Sequence, residues 1–318
     1  MKYDIAVIGN DEAAFEMLHV AADAGRRTVG IIPEQRHSAW MVSRALNRLI
    51  GQLLADHGAG SQFLSRRRGT PGLLRRLLCR AVLAEIEDQF RLLDQSGVHL
   101  FLGEARILNS STLQVTSGVD CSRTILRASN VIVGTGVRFT ARQNSLGLLA
   151  RPCAESLLSD NQLPSQLKLL GGDAFGAGFA ALFSLFGVKT LLSANLDRPC
   201  AMVEMAASSG VRILDDVEYP KEPDFGSVLD LRREVGFTDY LNLASIGVEP
   251  DENGRLWCAE NLETWCAGVF GIGEVVGFAS EHSCKVGEQA SRILNRATHR
   301  MRRPHFLRIH SAVRNAFV

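Results

Sequence analysis

Two stretches of this chain repeat one pattern of strand, glycine turn, helix and strand, and this repeat constrains the fold more than any other feature. In residues 4–32, an apolar run ends at Gly9 and a helical pattern leads to a second apolar run. Residues 166–192 repeat the pattern around Gly171. Such a unit is the βαβ element of dinucleotide-binding folds. The repeat therefore predicts an α/β protein with two Rossmann-like domains.

Both glycine turns depart from the G-x-G-x-x-G fingerprint in the same way. In the first turn, Gly9 holds the first position, Asp11 the second and Ala14 the third. In the second turn, Gly171 and Gly176 hold the first and third positions, and Asp173 stands at the second. The second glycine normally lets the backbone approach a pyrophosphate at the helix N-terminus, so an aspartate adds bulk and negative charge there.

The charge of Asp11 leaves two interpretations of the first turn. Two unit charges about 4 Å apart repel by about 1 kcal/mol in water and about 4 kcal/mol at a protein surface. Aspartate is also a good N-cap, whose carboxylate can bind the free N–H groups that a phosphate would use. The turn is therefore either a weakened phosphate site, with Asp11 in the place of the anion, or a working variant of it.

An acidic residue near the end of the second strand would bind the ribose hydroxyls in a dinucleotide fold. Glu34 lies slightly later than the expected position at Ile32 or Pro33. It is a candidate ribose ligand, and an ordinary loop carboxylate is an equal alternative.

Composition excludes several classes of protein. The net charge of +1 gives the 318-residue chain no overall attraction to polyanions. No apolar run reaches the roughly 20 residues of a membrane span, and the first strand begins too early for a signal peptide, so we expect a cytoplasmic protein. The seven cysteines are odd in number and have no C-x-x-C spacing, which predicts neither a zinc site nor a disulfide framework. We expect no metal.

The rest of the chain has a mixed pattern. Residues 43–54 and 71–95 have helical periodicity, short strands follow, and residues 130–136 form a buried strand that ends in a glycine turn. Residues 193–227 hold too few elements for a complete second domain. Residues 299–318 contain several arginines and no acid, which suits an acidic partner, nucleic acid or a membrane surface, or a helix that docks on the body.

Several pieces in this order resemble the pyridine nucleotide-disulfide oxidoreductases, which are flavoproteins with two dinucleotide folds, and among them the soluble transhydrogenases and dihydrolipoamide dehydrogenases. Residues 131–136 are similar to the A-T-G turn between the domains of that family, and residues 171–176 to its NAD(P) fingerprint. Thr264 followed by residues 269–274 resembles the T-x4-h-h-h-h-G-D motif, whose acid contacts the FAD ribityl chain. The resemblance extends over about residues 4–298.

The resemblance implies FAD in the first fold and NAD(P) in the second. The second fold would be inserted in the first and shortened, with no C-terminal dimerisation domain. The implied boundaries are an FAD-type domain in residues 1–150 and 233–298, an NAD(P)-type domain in 151–232 and a basic tail in 299–318. The implied cofactor-binding residues are Gly9, Asp11, Ala14, Glu34, Thr135, Gly136, Gly171, Asp173, Gly176, Gly273 and Glu274, and no catalytic residue is assigned.

The departures fall mainly at ligand-contacting positions. The family's redox C-x4-C pair should lie near residues 40–44, where this chain has no cysteine, and its flavin-binding aspartate becomes Glu274. Two hypotheses follow. The first is hydride transfer between a pyridine nucleotide and flavin without a redox disulfide, as in a transhydrogenase. The second is a non-catalytic scaffold of this fold that binds another protein or a different ligand through the old crevice, with the basic tail and the arginine-rich helix at residues 71–95 as contact surfaces. Oligomeric state stays open.

Overall fold

A computed structural model of the chain describes residues 2–33, 37–58, 70–139, 163–171, 173–194, 201–215, 227–277 and 285–302. All statements about structure concern these residues.

The first sheet joins early and late parts of the chain. The strands are β1 Lys2–Ile8, β2 Thr28–Ile32, β3 His99–Leu102, β4 Glu104–Asn109, β5 Thr112–Thr116, β6 Arg123–Val133 and β13 Val269–Gly271. Their order in the sheet is β3-β2-β1-β6-β5-β4, and β13 pairs with β6 beside this path. The pairs among β3, β2, β1, β6 and β13 are parallel, whereas β4, β5 and the first half of β6 pair antiparallel.

The second sheet is smaller and parallel, with the order β10-β9-β8-β11. An antiparallel ribbon of β7 and β12 stands apart from both sheets. These strands are β7 Val137–Phe139, β8 Gln166–Leu170, β9 Lys189–Ala194, β10 Arg212–Asp215, β11 Val228–Asp230 and β12 Glu234–Gly236.

Six α-helices accompany the sheets in the described part of the chain. They are α1 Glu12–Asp23, α2 Ala39–Gly58, α3 Pro71–Gln95, α4 Asp173–Leu185, α5 Ala201–Ser208 and α6 Val286–Arg302. In the first fold, α1 packs against α6, while α2 packs against α3 and also against α4 of the second fold. The two folds are therefore joined through a direct contact between helices.

The two predicted βαβ units are confirmed as β1-α1-β2 and β8-α4-β9, with parallel strands in each. The predicted α/β architecture with two Rossmann-like folds is confirmed as well. One boundary was wrong: α2 begins at Ala39 rather than at residue 43. The strands β11 and β12 were missed because three-residue strands have too little alternation to detect. Residues 154–158, whose sequence predicts a short helical piece, lie outside the described residues.

Candidate functional site

The first glycine turn packs against the carboxyl end of β6. Gly9 has a positive φ of 133°, and a Cβ built on it would lie 2.0 Å from the carbonyl oxygen of Gly134. A Cβ built on Gly134 would in turn lie 2.9 Å from the Cβ of Ala14. Glycine at 9 and 134 thus makes room for the turn and for the first part of α1. This explains how alanine is accepted at the third position of the fingerprint.

Asp11 directs its carboxyl group into a gap between two other glycines. The residue precedes α1 in an extended conformation and is only 3% exposed. Its Cγ lies 2.8 Å from a Cβ built on Gly136, and its Oδ2 lies 3.1 Å from a Cβ built on Gly273. Residues from three distant parts of the sequence therefore meet around one carboxyl group, at the N-terminus of α1.

The capping interpretation of Asp11 agrees with the structure only in part, because the backbone N–H of Glu12 is the one free helix N–H group that acts on its carboxylate. Asp11 does occupy the N-cap position, but its side chain makes no capping hydrogen bond. The carboxyl group points into the gap beside Gly136 and Gly273 instead. The interpretation that Asp11 stands in the place of the anion agrees with this geometry, because its carboxyl group lies beside the helix N-terminus, where an anion would bind.

The electrostatics of this gap are dominated by acidic groups. Burial raises the pKa of Asp11 from 3.8 to about 7, with a further contribution from the negative charge of Glu274. The backbone N–H of Glu12 offsets part of this rise, and the Glu12 carboxylate adds to it. The pKa of Glu274 is also raised, mainly by loss of hydration and then by the charges of Glu234, Glu12 and Asp173, against an opposing effect of Arg255. Asp11 therefore keeps its proton to a much higher pH than an exposed aspartate does.

Two polar groups of the predicted flavin site, the Thr135 hydroxyl and the Gly273 backbone N–H, differ in their hydrogen bonding. The hydroxyl group of Thr135 is buried and has no hydrogen-bond partner. The backbone N–H of Gly273, by contrast, donates to Oε1 of the buried Gln289 at 2.9 Å. Gln289 lies on α6, so this helix supports the turn that holds Gly273 and Glu274.

A buried link from the glycine turn to α2 was missed by sequence reasoning. Oδ1 of Asn10 accepts a hydrogen bond from the backbone N–H of Ser38 at 3.0 Å, and the Ser38 hydroxyl donates to the Asn10 carbonyl at 2.9 Å. The same hydroxyl accepts from the backbone N–H of Met41 at 3.2 Å and so caps α2. A serine directly before a helical pattern is a capping signal, but its partner Asn10 could not be found from sequence.

The start of α2 is also where the resemblance would place the redox cysteine pair. Ser38 and Ser43 have the spacing of a C-x4-C motif. Both hydroxyls donate to backbone carbonyls, that of Ser43 to Ala39 at 2.8 Å. This segment therefore supplies hydrogen bonds that fix the helix, and it carries no thiol.

The second glycine turn keeps its packing but exposes its aspartate. A Cβ built on Gly176 would lie 2.2 Å from the carbonyl oxygen of Gly171, so the helix and strand approach as closely as the fingerprint requires. Asp173 begins α4 with a positive φ of 40° and is exposed to solvent. Beside Gly171 lies Arg232, whose Nη2 and Nε bind the buried Asp230 at 2.6 and 2.8 Å. The two aspartates at the second fingerprint position thus have different environments.

The remaining predictions concern Glu34, metal binding and membrane spans. Glu34 lies outside the described residues, and its role stays a prediction. No group of three or more His, Cys, Asp or Glu residues that could hold a metal ion occurs in the described ranges. Among the helices of those ranges, none has both the length and the apolar content to cross a membrane.

Comparisons with known proteins agree with this architecture. The chain is 24% identical over 316 residues to a soluble pyridine nucleotide transhydrogenase of Chromohalobacter salexigens, and the match covers 87% of this chain and 67% of that protein. A second such transhydrogenase, from Vibrio atlanticus, is 24% identical over 314 residues, with the same coverage. No family model matches the chain.

Solved structures share the fold at lower sequence identity. LpdA from Mycobacterium tuberculosis superposes with a TM-score of 0.61 at 20% identity, covering 93% of this chain and 72% of LpdA. The HOCl-induced flavoprotein disulfide reductase RclA from Escherichia coli gives a TM-score of 0.59 at 16% identity, covering 93% and 69%. The chain thus spans about two thirds of the length of these proteins. Together, the sequence matches and the shared fold agree with the resemblance of this chain to the pyridine nucleotide-disulfide oxidoreductases.

Proposed function

We propose that this chain is an FAD- and NAD(P)-dependent oxidoreductase that passes hydride between a pyridine nucleotide and flavin without a redox disulfide. The observation that carries the proposal is the pairing of two glycine turns on folds joined through α2, the helix that has serines in place of a cysteine pair. Similarity to soluble pyridine nucleotide transhydrogenases points in the same direction. The resemblance to that class implies hydride transfer between nicotinamides through flavin, which needs no thiol.

The Asp11 carboxyl group fills the part of the first crevice that the pyrophosphate of FAD would enter, between Gly136 and Gly273. In this proposal, the Asp11 side chain turns out of that gap when FAD binds. The buried Thr135 hydroxyl is an unused hydrogen-bonding group beside the gap. An ionised Asp11 would repel the anionic phosphates, whereas the neutral acid would not.

When bound, FAD would supply the hydride acceptor, and the residues of the chain would hold and orient it. Gly9, Gly136 and Gly273 would let the backbone approach the cofactor, and Glu274 would stand in the place of the family's ribityl-binding aspartate. In the second fold, Gly171 and Gly176 would accept NAD(P). In this proposal, residues 1–150 and 233–298 form the FAD-type domain, and residues 151–232 form the NAD(P)-type domain.

The visible absorption spectrum of the freshly purified protein, recorded before and after incubation with FAD, tests this function. Bound flavin bands that bleach on titration with NADH or NADPH are the expected result. A folded protein that stays colourless in excess FAD at acidic and neutral pH would contradict it.

The buried Asp11 carboxyl group, which fills part of the crevice, specifically favours a second candidate, a flavoprotein-like scaffold without catalysis. Its contact surface would include the basic residues after 299. If so, replacing Arg300, Arg302 and Arg303 with alanine should weaken the recovery of an acidic binding partner without changing the folded state. Unchanged recovery would count against the scaffold hypothesis.

A further inference from the structure

We propose that the Asp11 carboxyl group is an intramolecular occupant of the phosphate gap in the first fold, and that its bulk limits the affinity of this fold for FAD. The phosphate gap is the space between Gly136 and Gly273, beside the N-terminus of α1. This inference rests on the proposed function for the identity of the cofactor, and it adds the residue that determines how tightly the cofactor binds.

The contacts of Asp11 show that its carboxyl group fills the phosphate gap. Its Cγ and Oδ1 lie 2.8 and 3.1 Å from a Cβ built on Gly136, and its Oδ2 lies 3.1 Å from a Cβ built on Gly273. Only 3% of the residue is exposed to solvent. A phosphate group therefore cannot share this space with the Asp11 side chain in its present position.

The two glycines make room for Asp11 in the way that they would make room for a phosphate. Both have a positive φ, 65° at Gly136 and 76° at Gly273. A Cβ at residue 136 would overlap the Asp11 carboxyl group, and a Cβ at residue 273 would meet the Cβ of Ala13 at 2.6 Å. Without the Asp11 side chain, these three residues would line the gap with backbone and one methyl group.

The Asp11 carboxyl group also takes the electrostatic place of an anion. Residue 11 is the N-cap of α1, and the backbone N–H of Glu12 stabilises the ionised carboxylate. Free N–H groups at a helix N-terminus are the groups that bind phosphates. Asp11 and a phosphate would thus compete for the same space and for the same N–H group.

A smaller residue at position 11 is compatible with the first turn of α1. The Asp11 side chain makes no capping hydrogen bond, and glycine is a common N-cap residue. The backbone of residue 11 is extended, with a φ of −84° and a ψ of 164°, which any residue adopts without strain. We therefore expect Asp11→Gly and Asp11→Ala to fold.

Bulk and charge both oppose a phosphate at this position, and two substitutions separate them. Asp11→Asn keeps the size of the side chain and removes its charge, whereas Asp11→Gly removes both. When the binding-competent form of a protein is a minor fraction of the molecules, its affinity is reduced by that fraction. If the side chain leaves the gap in fewer than about one tenth of the molecules, its removal raises the affinity at least about tenfold.

Equilibrium binding of FAD to the full chain, followed by quenching of flavin fluorescence, tests the inference. Asp11→Gly should bind at least about tenfold more tightly than Asp11→Asn and the wild type. Asp11→Ala should bind like Asp11→Gly, which excludes an effect of glycine flexibility. Asp23→Ala is the matched control, because this exposed aspartate lies at the other end of α1, and it should bind like the wild type.

Calorimetric titration with inorganic pyrophosphate gives a second measurement that does not depend on the flavin. Asp11→Gly should gain a pyrophosphate site that the wild type and Asp11→Asn lack. Equal affinities of Asp11→Gly and Asp11→Asn for FAD would overturn the inference and leave the proposed function intact. FAD or pyrophosphate bound by Asp11→Gly, with no FAD bound by the wild type, would support the inference and overturn the proposed function. Folded variants that bind neither ligand would overturn both.

Discussion

At the scale of single residues, Asp11 shows how a substitution within a motif is accommodated by its surroundings. The aspartate was identified from sequence as the residue that decides the first turn. Its orientation could not be predicted, because that depends on Gly136 and Gly273, which only the folded chain brings to it. The same substitution at Asp173 leaves its side chain exposed. The same residue type at the same motif position therefore has different energetic effects in the two turns.

The free energy of unfolding of the chain should fall as pH rises, because of Asp11. Its pKa in the folded state, about 7, lies above the ordinary 3.8, so the folded state binds more protons between these values. Stability is lost as pH rises through that window, and the full cost of about 4 kcal/mol is present above pH 7. Asp11→Asn should therefore raise the free energy of unfolding at pH 8 by a large part of that amount, measured by urea denaturation. Asp94→Asn, at an exposed aspartate in the last turn of α3, should leave it unchanged, and an equal gain in both variants would contradict the assignment to Asp11.

Replacing Gly9 with alanine should destabilise the chain severely. The new Cβ would meet the carbonyl oxygen of Gly134 at 2.0 Å, and the φ of 133° is strained for any side chain. A loss of about 3 kcal/mol or more is expected in thermal or urea unfolding. Gly97→Ala separates the backbone strain from the contact with Gly134. Gly97 has a φ of 73° and open space around it, so this change should cost only about 1 kcal/mol. Equal losses would show that contact with Gly134 contributes nothing.

At the scale of secondary-structure elements, the beginning of α2 was predicted too late because its cap is built from a distant residue. The helical periodicity identified residues 43–54, and the structure extends the helix back to Ala39. Ser38 caps the helix while it holds Asn10, so one hydroxyl fixes both the helix and the glycine turn. A repeated pattern of apolar residues reveals a helix, whereas its first turn depends on hydrogen bonds with no periodicity.

Ser38→Ala should therefore cost about 1–2 kcal/mol, because the cap of α2 and the bond to the Asn10 carbonyl are lost together. Ser43→Ala is the matched control, since the Ser43 hydroxyl donates to Ala39 within the same helix and its loss should be close to neutral. Urea denaturation of both variants measures the difference. Hydrogen exchange at residues 39–43 should accelerate in Ser38→Ala alone; acceleration in both would argue against the capping role.

At the scale of the whole molecule, the sequence repeat predicted both βαβ units, while the contact between the folds came from the structure. Leu46 of α2 lies beside Gly178 of α4, where a built Cβ would be 2.9 Å from the leucine Cδ1. Neither helix has a pattern that identifies the other as its neighbour. The apolar stripe of α2 was visible in the sequence, but its division between α3 and α4 was not.

Gly178→Ala should weaken this contact, although alanine in a helix is normally more stable than glycine by about 1 kcal/mol. Crowding against Leu46 should remove that gain and lower the melting temperature. Gly51→Ala in α2 has nothing within 4 Å of its new methyl group and should raise the melting temperature by the ordinary helix gain. If both variants gain equally, the two helices are not in close contact.

The approach of Gly9, Ala14 and Gly134 has a consequence for recognising distant relatives of this chain. The space that a glycine at the third fingerprint position would provide is supplied here by Gly134, directly after β6. The requirement for small side chains thus belongs to a pair of positions that are far apart in sequence, and either member can meet it. A search that scores each motif letter separately will reject such turns. One that scores the summed volume of the facing pair will retain them.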